Sequence, residues 1–212
     1  MAYSVKELHY TLQGEGAMAG RAAVFCRFVG CNLWTGREED RVGAKCDFCD
    51  TDFIGTDGPG GGVFAAADDL AAAVAETWSP SAGSEGAPYV VFTGGEPLLQ
   101  LDESLVEACH RAGFEVAVET NGTLELPAGI DWVTVSPKTL ADLVLQEGQE
   151  LKLVFPQKVT PESVSSLRFD RFFLQPLDGP DLKRNMQMAI EYCRDHPQWR
   201  LSLQTHKVGG FL

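Results

Sequence analysis

Seven short apolar runs, each closed by turn residues, constrain the fold of this chain more than any other feature. They are Ala22–Val29, Tyr89–Phe92, Glu115–Val118, Trp132–Val135, Leu151–Phe155, Arg171–Leu174 and Arg200–Leu203. Runs of this length, rich in Val and Phe, read as buried strands. Between some of them apolar residues recur at helical spacing. Leu70, Val74 and Trp78 make one stripe, and Leu101, Leu105 and Ala108 or Cys109 a second. Leu182, Met186, Ile190 and Cys193 make a third, with Pro197 just beyond it. Strands alternating with helices pair in parallel and give an α/β fold. The connections after Val135 and Phe155 are short for covering helices. The expected architecture is a partial, open α/β barrel of about six parallel strands with a reduced set of helices.

At 212 residues and 44% hydrophobic, the chain can bury one good-sized core, which predicts a single domain over 1–212. The Gly-rich stretches Gly55 to Gly62 and Ser79 to Pro88 read as loops rather than linkers. No apolar stretch is long enough to cross a membrane. The first ten residues carry Lys6, Glu7 and His9 where a secretory signal needs an apolar centre. A cytoplasmic setting follows as the expectation, and there clustered cysteines point to metal or redox chemistry rather than disulfides. The net charge of -13 argues against nucleic acid as a partner, because a phosphate backbone needs neutralising cations.

Polar residues gather where the apolar runs stop. Thr93-Gly94-Gly95-Glu96-Pro97, Glu119-Thr120-Asn121-Gly122, Ser136-Pro137-Lys138, Gln175-Pro176 and Gln204-Thr205-His206-Lys207 each follow a strand. In α/β barrels the loops at those C-terminal strand ends converge on one mouth and carry the active site.

Cys31, Cys46 and Cys49 lie in one loop, spaced Cys-x14-Cys-x2-Cys. Three thiolates can hold three irons of a cubane cluster and leave the fourth iron open for a ligand. The competing use is a closed zinc site, which needs four ligands, commonly in two close pairs. Only Cys46 and Cys49 are closely paired, and Cys26, the nearest further thiol, sits inside a strand pattern. The two glycines Gly94 and Gly95, directly at a strand end, settle the choice, since backbone there can approach a ligand closely. Cys109 and Cys193 fall on apolar helix faces and read as core residues.

The three-cysteine loop and the Val91-Phe92-Thr93-Gly94-Gly95-Glu96-Pro97 segment resemble those of the radical S-adenosylmethionine (SAM) superfamily. The order of further motifs narrows the resemblance to the 7-carboxy-7-deazaguanine synthase family. These run from Tyr10-Thr11-Leu12-Gln13-Gly14-Glu15-Gly16 through Phe25-Cys26-Arg27-Phe28, Cys31-Asn32-Leu33-Trp34 and Cys49-Asp50-Thr51-Asp52 to Gln204-Thr205-His206-Lys207. One departure is the cluster loop, 31–49, in which fourteen residues stand where most of the superfamily has three.

The resemblance implies a [4Fe-4S] cluster held by Cys31, Cys46 and Cys49, with SAM as cofactor. It also implies ring contraction of 6-carboxy-5,6,7,8-tetrahydropterin to 7-carboxy-7-deazaguanine with loss of ammonia, in queuosine biosynthesis. Gly95 and its neighbouring backbone fall to the methionine amino group, and Ser136 and Lys138 suit the methionine carboxylate. Glu119 suits the ribose hydroxyls and Phe48 the adenine, while Gln175 offers amide hydrogen bonds. For the substrate, Arg27 presents a rigid fork to a carboxylate and Glu15 an acceptor pair to the 2-amino and N3–H donors. Leu12, Gln13 and Gly14 add backbone contacts, and Thr93 and His206 close the pocket. The catalytic roles fall to Glu15, Arg27 and His206. The alternative for Arg27 is a core ion pair with Glu15. His9, His110 and His196 have no comparable context and read as surface residues. The resemblance further implies Mg2+ touched by the Thr51 hydroxyl, an electron donor such as flavodoxin, and a homodimer. Other classes compatible with the cysteine loop are a glycyl-radical activase and a zinc-binding interaction module.

Overall fold

The computed structural model describes residues 2–81 and 85–211. Ala82, Gly83 and Ser84, in the second Gly-rich stretch, lie outside the described residues, as do Met1 and Leu212 at the ends. Thirteen main elements follow in chain order among the described residues: β1 (Tyr3–Leu12), β2 (Ala22–Phe28), β3 (Gly62–Phe64), α1 (Ala67–Thr77), β4 (Tyr89–Gly94), α2 (Glu103–Arg111), β5 (Glu115–Thr120), β6 (Trp132–Val135), β7 (Glu147–Phe155), β8 (Arg168–Pro176), α3 (Leu182–Asp195), β9 (Trp199–Leu201) and α4 (Thr205–Gly209). They build one nine-stranded sheet in the order β3-β1-β2-β4-β5-β6-β7-β8-β9. From β2 to β9 every neighbouring pair is parallel, and β1 runs antiparallel to both β2 and β3. The two end strands do not pair with each other, so the barrel is open, as expected.

The parallel run has seven strands rather than about six, and β1 adds an antiparallel strand before it. Apolar density does not mark β1. Tyr3, Val5 and Leu8 go into the core, while Glu7 and His9 line a cavity on the other face. Register shifts between Val5 and Glu7, where the extra residue Lys6 reaches out to Asp52 and Asp57 at 2.9 and 2.7 Å.

Alternation along the strands separates two faces. Val90 and Phe92 of β4, with Val116 and Val118 of β5, face the main core and pack with Leu70, Val74, Leu105 and Cys109 of α1 and α2. Tyr89, Val91 and Ala117 face inward, with Ala23 of β2, in a smaller cluster. The inner wall near the strand starts is therefore apolar, and polar side chains lie above it. The outward set includes Cys26, fully buried beside Cys109, which removes it as a partner for the cysteine loop.

The third stripe is displaced from its expected position. Asn185 and Ala189 are the buried residues of α3, Cys193 is half-buried, and Leu182 is exposed. Asn185 can sit inside because its Nδ2 donates to the Leu177 carbonyl at 2.9 Å, a bond that hydrophobicity does not encode. The links after β6 and β7 contain no α-helix, as expected from their length, and the link after β5 has none either. None of the described helices is long and apolar enough to cross a membrane.

Candidate active site

The C-terminal ends of the strands open into a cavity of about 670 Å³. Every predicted site residue borders it except Cys31, whose Cβ instead faces Gly95 from the adjoining turn.

The cysteine loop is a folded lobe. Trp34, nearly buried, stands edge-on to Phe53 at 5.6 Å and donates from Nε1 to the Arg37 carbonyl at 3.1 Å. The Arg41 guanidinium lies 4.1 Å over the Trp34 ring and donates to the carbonyls of Asp47 and Cys49, both at 3.1 Å. Sequence reasoning left this segment open, because an inserted loop has no periodicity to read. The Arg41 brace holds the turn that carries Cys46 and Cys49.

All six cysteines are free thiols. The Cys46 thiol donates to Cys49, which lowers Cys49 to about 6, and Thr51 adds bonds from its backbone N–H and its hydroxyl. The partner Cys46 is raised, because it keeps the shared proton and is buried. The Lys138 ammonium favours the thiolate of both. Among the described residues no three His, Cys, Asp or Glu are grouped to hold a single ion. A cubane cluster does not require that, since each thiolate binds a different iron. Three sulfurs on one braced loop, one already inclined to ionise, fit the cluster.

Gly94 and Gly95 end β4 against the start of that loop. A Cβ on Gly94 would meet the Phe28 carbonyl at 2.7 Å; one on Gly95 would overlap the Gly30 carbonyl and lie 2.8 Å from Cys31 Cβ. The close approach at this turn is thus to the cysteine loop's own backbone. Behind the turn sits Glu96, fully buried, which sequence reasoning quoted in a motif but gave no role. Its carboxyl accepts from the Leu98 and Asn121 backbone N–H at 3.0 and 2.8 Å and from the Thr120 hydroxyl at 2.6 Å. Asn121 and Thr123 then bond Asn32, next to Cys31, at 3.0 and 2.8 Å. Burial pushes the Glu96 carboxyl up, and these donors oppose it. The network ties the ends of β4 and β5 to the cysteine loop.

Ser136 and Lys138 stand beyond β6, joined by an Nζ to Oγ bond of 2.6 Å, with the ammonium 5.6 Å from the Phe48 ring centre. Burial holds the Lys138 pKa below its usual value. A hydroxyl, a buried cation and an aromatic face are thus brought together beside the thiols.

Elsewhere on the cavity lining, Arg27 is held by Glu7, Nε to Oε1 at 2.7 Å, and not by Glu15 as the alternative reading had it. The two carboxylates are eight residues apart, on β1 and in the turn after it, and only the strand pairing decides between them: Glu7 lies opposite Arg27 in the β1–β2 register. The imidazole of His9 stacks on Phe25 at 6.0 Å and lines the cavity, with Nδ1 buried and unpartnered among the described residues. His9 is therefore not a surface residue; its neighbours along β1 concealed that. His110 is exposed, as expected, and pairs with Asp131 at 2.9 Å, whereas His196 is half-buried and stacks on Tyr192. His206 packs directly on Gly14, where a Cβ would collide with Nδ1, and Thr205 donates twice to the Gly14 carbonyl. Lys207 closes that side, reaching Asp50 at 2.9 Å and Asp178 at 2.5 Å.

The floor holds a buried charge cluster that sequence reasoning half missed. Glu15 is ion-paired with Lys152 of β7, and its Oε1 accepts from Gln175 and Gln204, both at 3.0 Å. Lys152 also lies 3.4 Å from Glu119, which accepts from Gln13 at 2.9 Å. Burial pushes the Glu15 carboxyl up, but Lys152, Gln204 and His206 outweigh it and hold it near 2. Burial likewise lowers Lys152, and Glu119, Glu15 and Glu150 outweigh that to raise it. The Gln175 amide is engaged with Glu15 and with the Ser202 hydroxyl at 3.0 Å, which leaves it one N–H for any ligand. Lys152 sits inside an apolar run, and the available signal was alternation: Glu150 and Lys152 share one face of β7, Leu151 and Leu153 the other.

A parallel open barrel with a braced three-thiol loop at its mouth defines a radical SAM enzyme, and a family model described as the radical SAM superfamily matches residues 43–150. Such enzymes use a [4Fe-4S] cluster and SAM. Among curated relatives, the 7-carboxy-7-deazaguanine synthase of Bordetella pertussis is 65% identical over 211 residues, covering 99% of both chains. That of Caulobacter vibrioides is 62% identical over the same length and coverage. A solved structure titled "Crystal structure of QueE from Escherichia coli" matches with a TM-score of 0.67 and 28% identity, over 96% of this chain and 94% of that one. The chain belongs to the 7-carboxy-7-deazaguanine synthase family.

Proposed function

We propose that this chain converts 6-carboxy-5,6,7,8-tetrahydropterin to 7-carboxy-7-deazaguanine with loss of ammonia, as a single radical SAM core domain. The observation that carries the reading is one cavity lined both by Cys46, Cys49 and Lys138 and by Arg27 and Glu15. The glycyl-radical activase is not favoured by the relatives, which bear one enzyme name over the whole chain.

Cys31, Cys46 and Cys49 would hold the cluster, with Ser136, Lys138 and the Gly95 backbone gripping the methionine end of SAM. Phe48 lies beside the adenine, Glu119 takes the ribose hydroxyls, and Gln175 contributes its remaining N–H. When bound, cluster and cofactor would supply the radical chemistry that activates C6 of the pterin. The chain's own part is to place that carbon and keep water away. Arg27, oriented by Glu7, offers its outer N–H groups to the substrate carboxylate. Leu12, Gln13 and Gly14 present backbone to the ring edge, with Thr93 and His206 closing over it. Glu15 has one acceptor position free, since Gln175, Gln204 and Lys152 occupy the others. A side-by-side grip on two ring donors therefore needs Gln204 or Gln175 to let go. The reading includes a cytoplasmic setting, a donor such as flavodoxin and a homodimer.

Anaerobic protein reconstituted with iron and sulfide should turn the tetrahydropterin acid into the deazaguanine acid when SAM and a reductant are added. A fully loaded cluster that cleaves SAM yet yields no such product overturns the assignment.

Mg2+ belongs to the proposal through Thr51. Its hydroxyl hydrogen goes to Cys49, so the oxygen keeps lone pairs for a hard cation that retains several waters. The Thr51→Val protein should hold its iron and lose apparent magnesium affinity by about tenfold or more, the scale on which even outer-shell partners act. Turnover measured across a MgCl2 series checks this; superimposable curves would remove Thr51 from the metal site.

A further inference from the structure

We infer that Lys152 is the positioning residue of this site: it holds Glu15 and Glu119 together as carboxylates, so that the pterin edge and the ribose meet fixed acceptors. The inference rests on the function proposed above and adds to it a residue given no role there beyond occupying Glu15.

Lys152 is 4% exposed, on the inward face of β7, so bulk water does little to stabilise its charge. Its ammonium is paired with Glu15 and lies 3.4 Å from Glu119, two residues that approach it from different elements. Glu15 comes from the turn after β1, and Glu119 from the end of β5. One buried cation therefore spans the substrate wall and the cofactor wall. Glu150, two residues before it, is buried as well and accepts from the Ala17 backbone N–H at 3.0 Å. The groups facing Glu15 are Lys152 and Glu150 from β7, Glu119 from β5, His206 from α4 and, further off, Lys138. Three carboxylates thus share one adjacent cation, and without it the confined like charges would take up protons.

That gives a sign. In the native site the adjacent Lys152 ammonium holds the Glu15 carboxyl well below the usual carboxylate range, so it stays ionised. With Lys152 removed, burial is opposed only by Gln204 and His206, and the Glu15 pKa rises. Below that pKa the neutral acid has a proton where the substrate also has one, and binding weakens. Raising the pH restores the acceptor.

The test is the KM for the tetrahydropterin acid between pH 6 and 9 for wild type, Lys152→Met and Lys152→Arg. For Lys152→Met the ratio of its KM to that of wild type should fall about tenfold for each pH unit below the new pKa and level off above it. Taking the ratio cancels the substrate's own titrations. Lys152→Arg keeps the charge and should leave the ratio flat. If Lys152→Met does not fold, the charge-balanced Lys152→Met/Glu150→Gln carries the same expectation, since Glu15 and Glu119 still face each other without a cation. Adding Glu15→Gln to either variant should flatten its ratio. A pH-independent ratio in the folded Lys152→Met variant, or a pH dependence that survives the addition of Glu15→Gln, overturns the inference while wild-type turnover keeps the proposed function intact. Absence of product from wild type overturns both.

Discussion

Cys49→Ala protein should purify folded, take up less iron than wild type on reconstitution, and form no product. The loop does not depend on the Cys49 side chain for its shape, because Trp34, Phe53 and Arg41 hold it, and Arg41 grips the Cys49 carbonyl rather than its sulfur. What is lost is a thiolate that the Cys46 thiol and Thr51 predispose to ionise. A cubane left with two protein ligands has two exposed irons and no single corner reserved for SAM. Turnover should fall by at least about 10⁴-fold, since without the radical the protein offers only positioning. Iron and sulfide analysis with an electron paramagnetic resonance spectrum, before and after SAM, measures both losses. A variant that keeps full iron and a SAM-sensitive signal would mean that a different side chain ligates the cluster.

Gly95→Ala should be nearly as damaging, through packing rather than ligation. The added methyl would overlap the Gly30 carbonyl and press on Cys31 Cβ, neither of which is the far end of a flexible side chain. The Glu96 amide also donates to that carbonyl at 2.9 Å, so moving it breaks a bond at the hinge between β4 and the cysteine loop. Overpacking of this kind costs about 1–3 kcal/mol, a drop visible in a urea titration. Because the strain is absorbed at Gly30 and Cys31, the first ligand moves relative to the other two, and iron loading should fall along with stability. Wild-type stability and full iron in Gly95→Ala would show that this turn yields easily.

The parallel sheet and its working end were legible because both signals are local. Strands such as Tyr89–Gly94 are dense in β-formers, and the polar residues that follow them sit at fixed offsets in sequence. Features set by strand pairing were less so. Arg27 finds Glu7 rather than Glu15 because β1 and β2 pair in one register, and the spacing of the two carboxylates along the chain gives no hint of it. Lys152 was hidden by averaging, since Leu151 and Leu153 made its run look uniformly apolar. His9 was hidden in the opposite way, by the polar neighbours Lys6 and Glu7. Asn185 took a core place through one hydrogen bond, and the interior of the cysteine loop offered no pattern at all.

The Trp34–Arg41 clasp has a consequence for how the enzyme matures. Its contacts are made by carbon, nitrogen and oxygen atoms alone, so the socket for iron has its shape from the chain itself. In small zinc-dependent modules the metal's binding energy is spent on ordering the polypeptide. Here that energy is available for retention instead, and assembly becomes delivery to a finished receptacle.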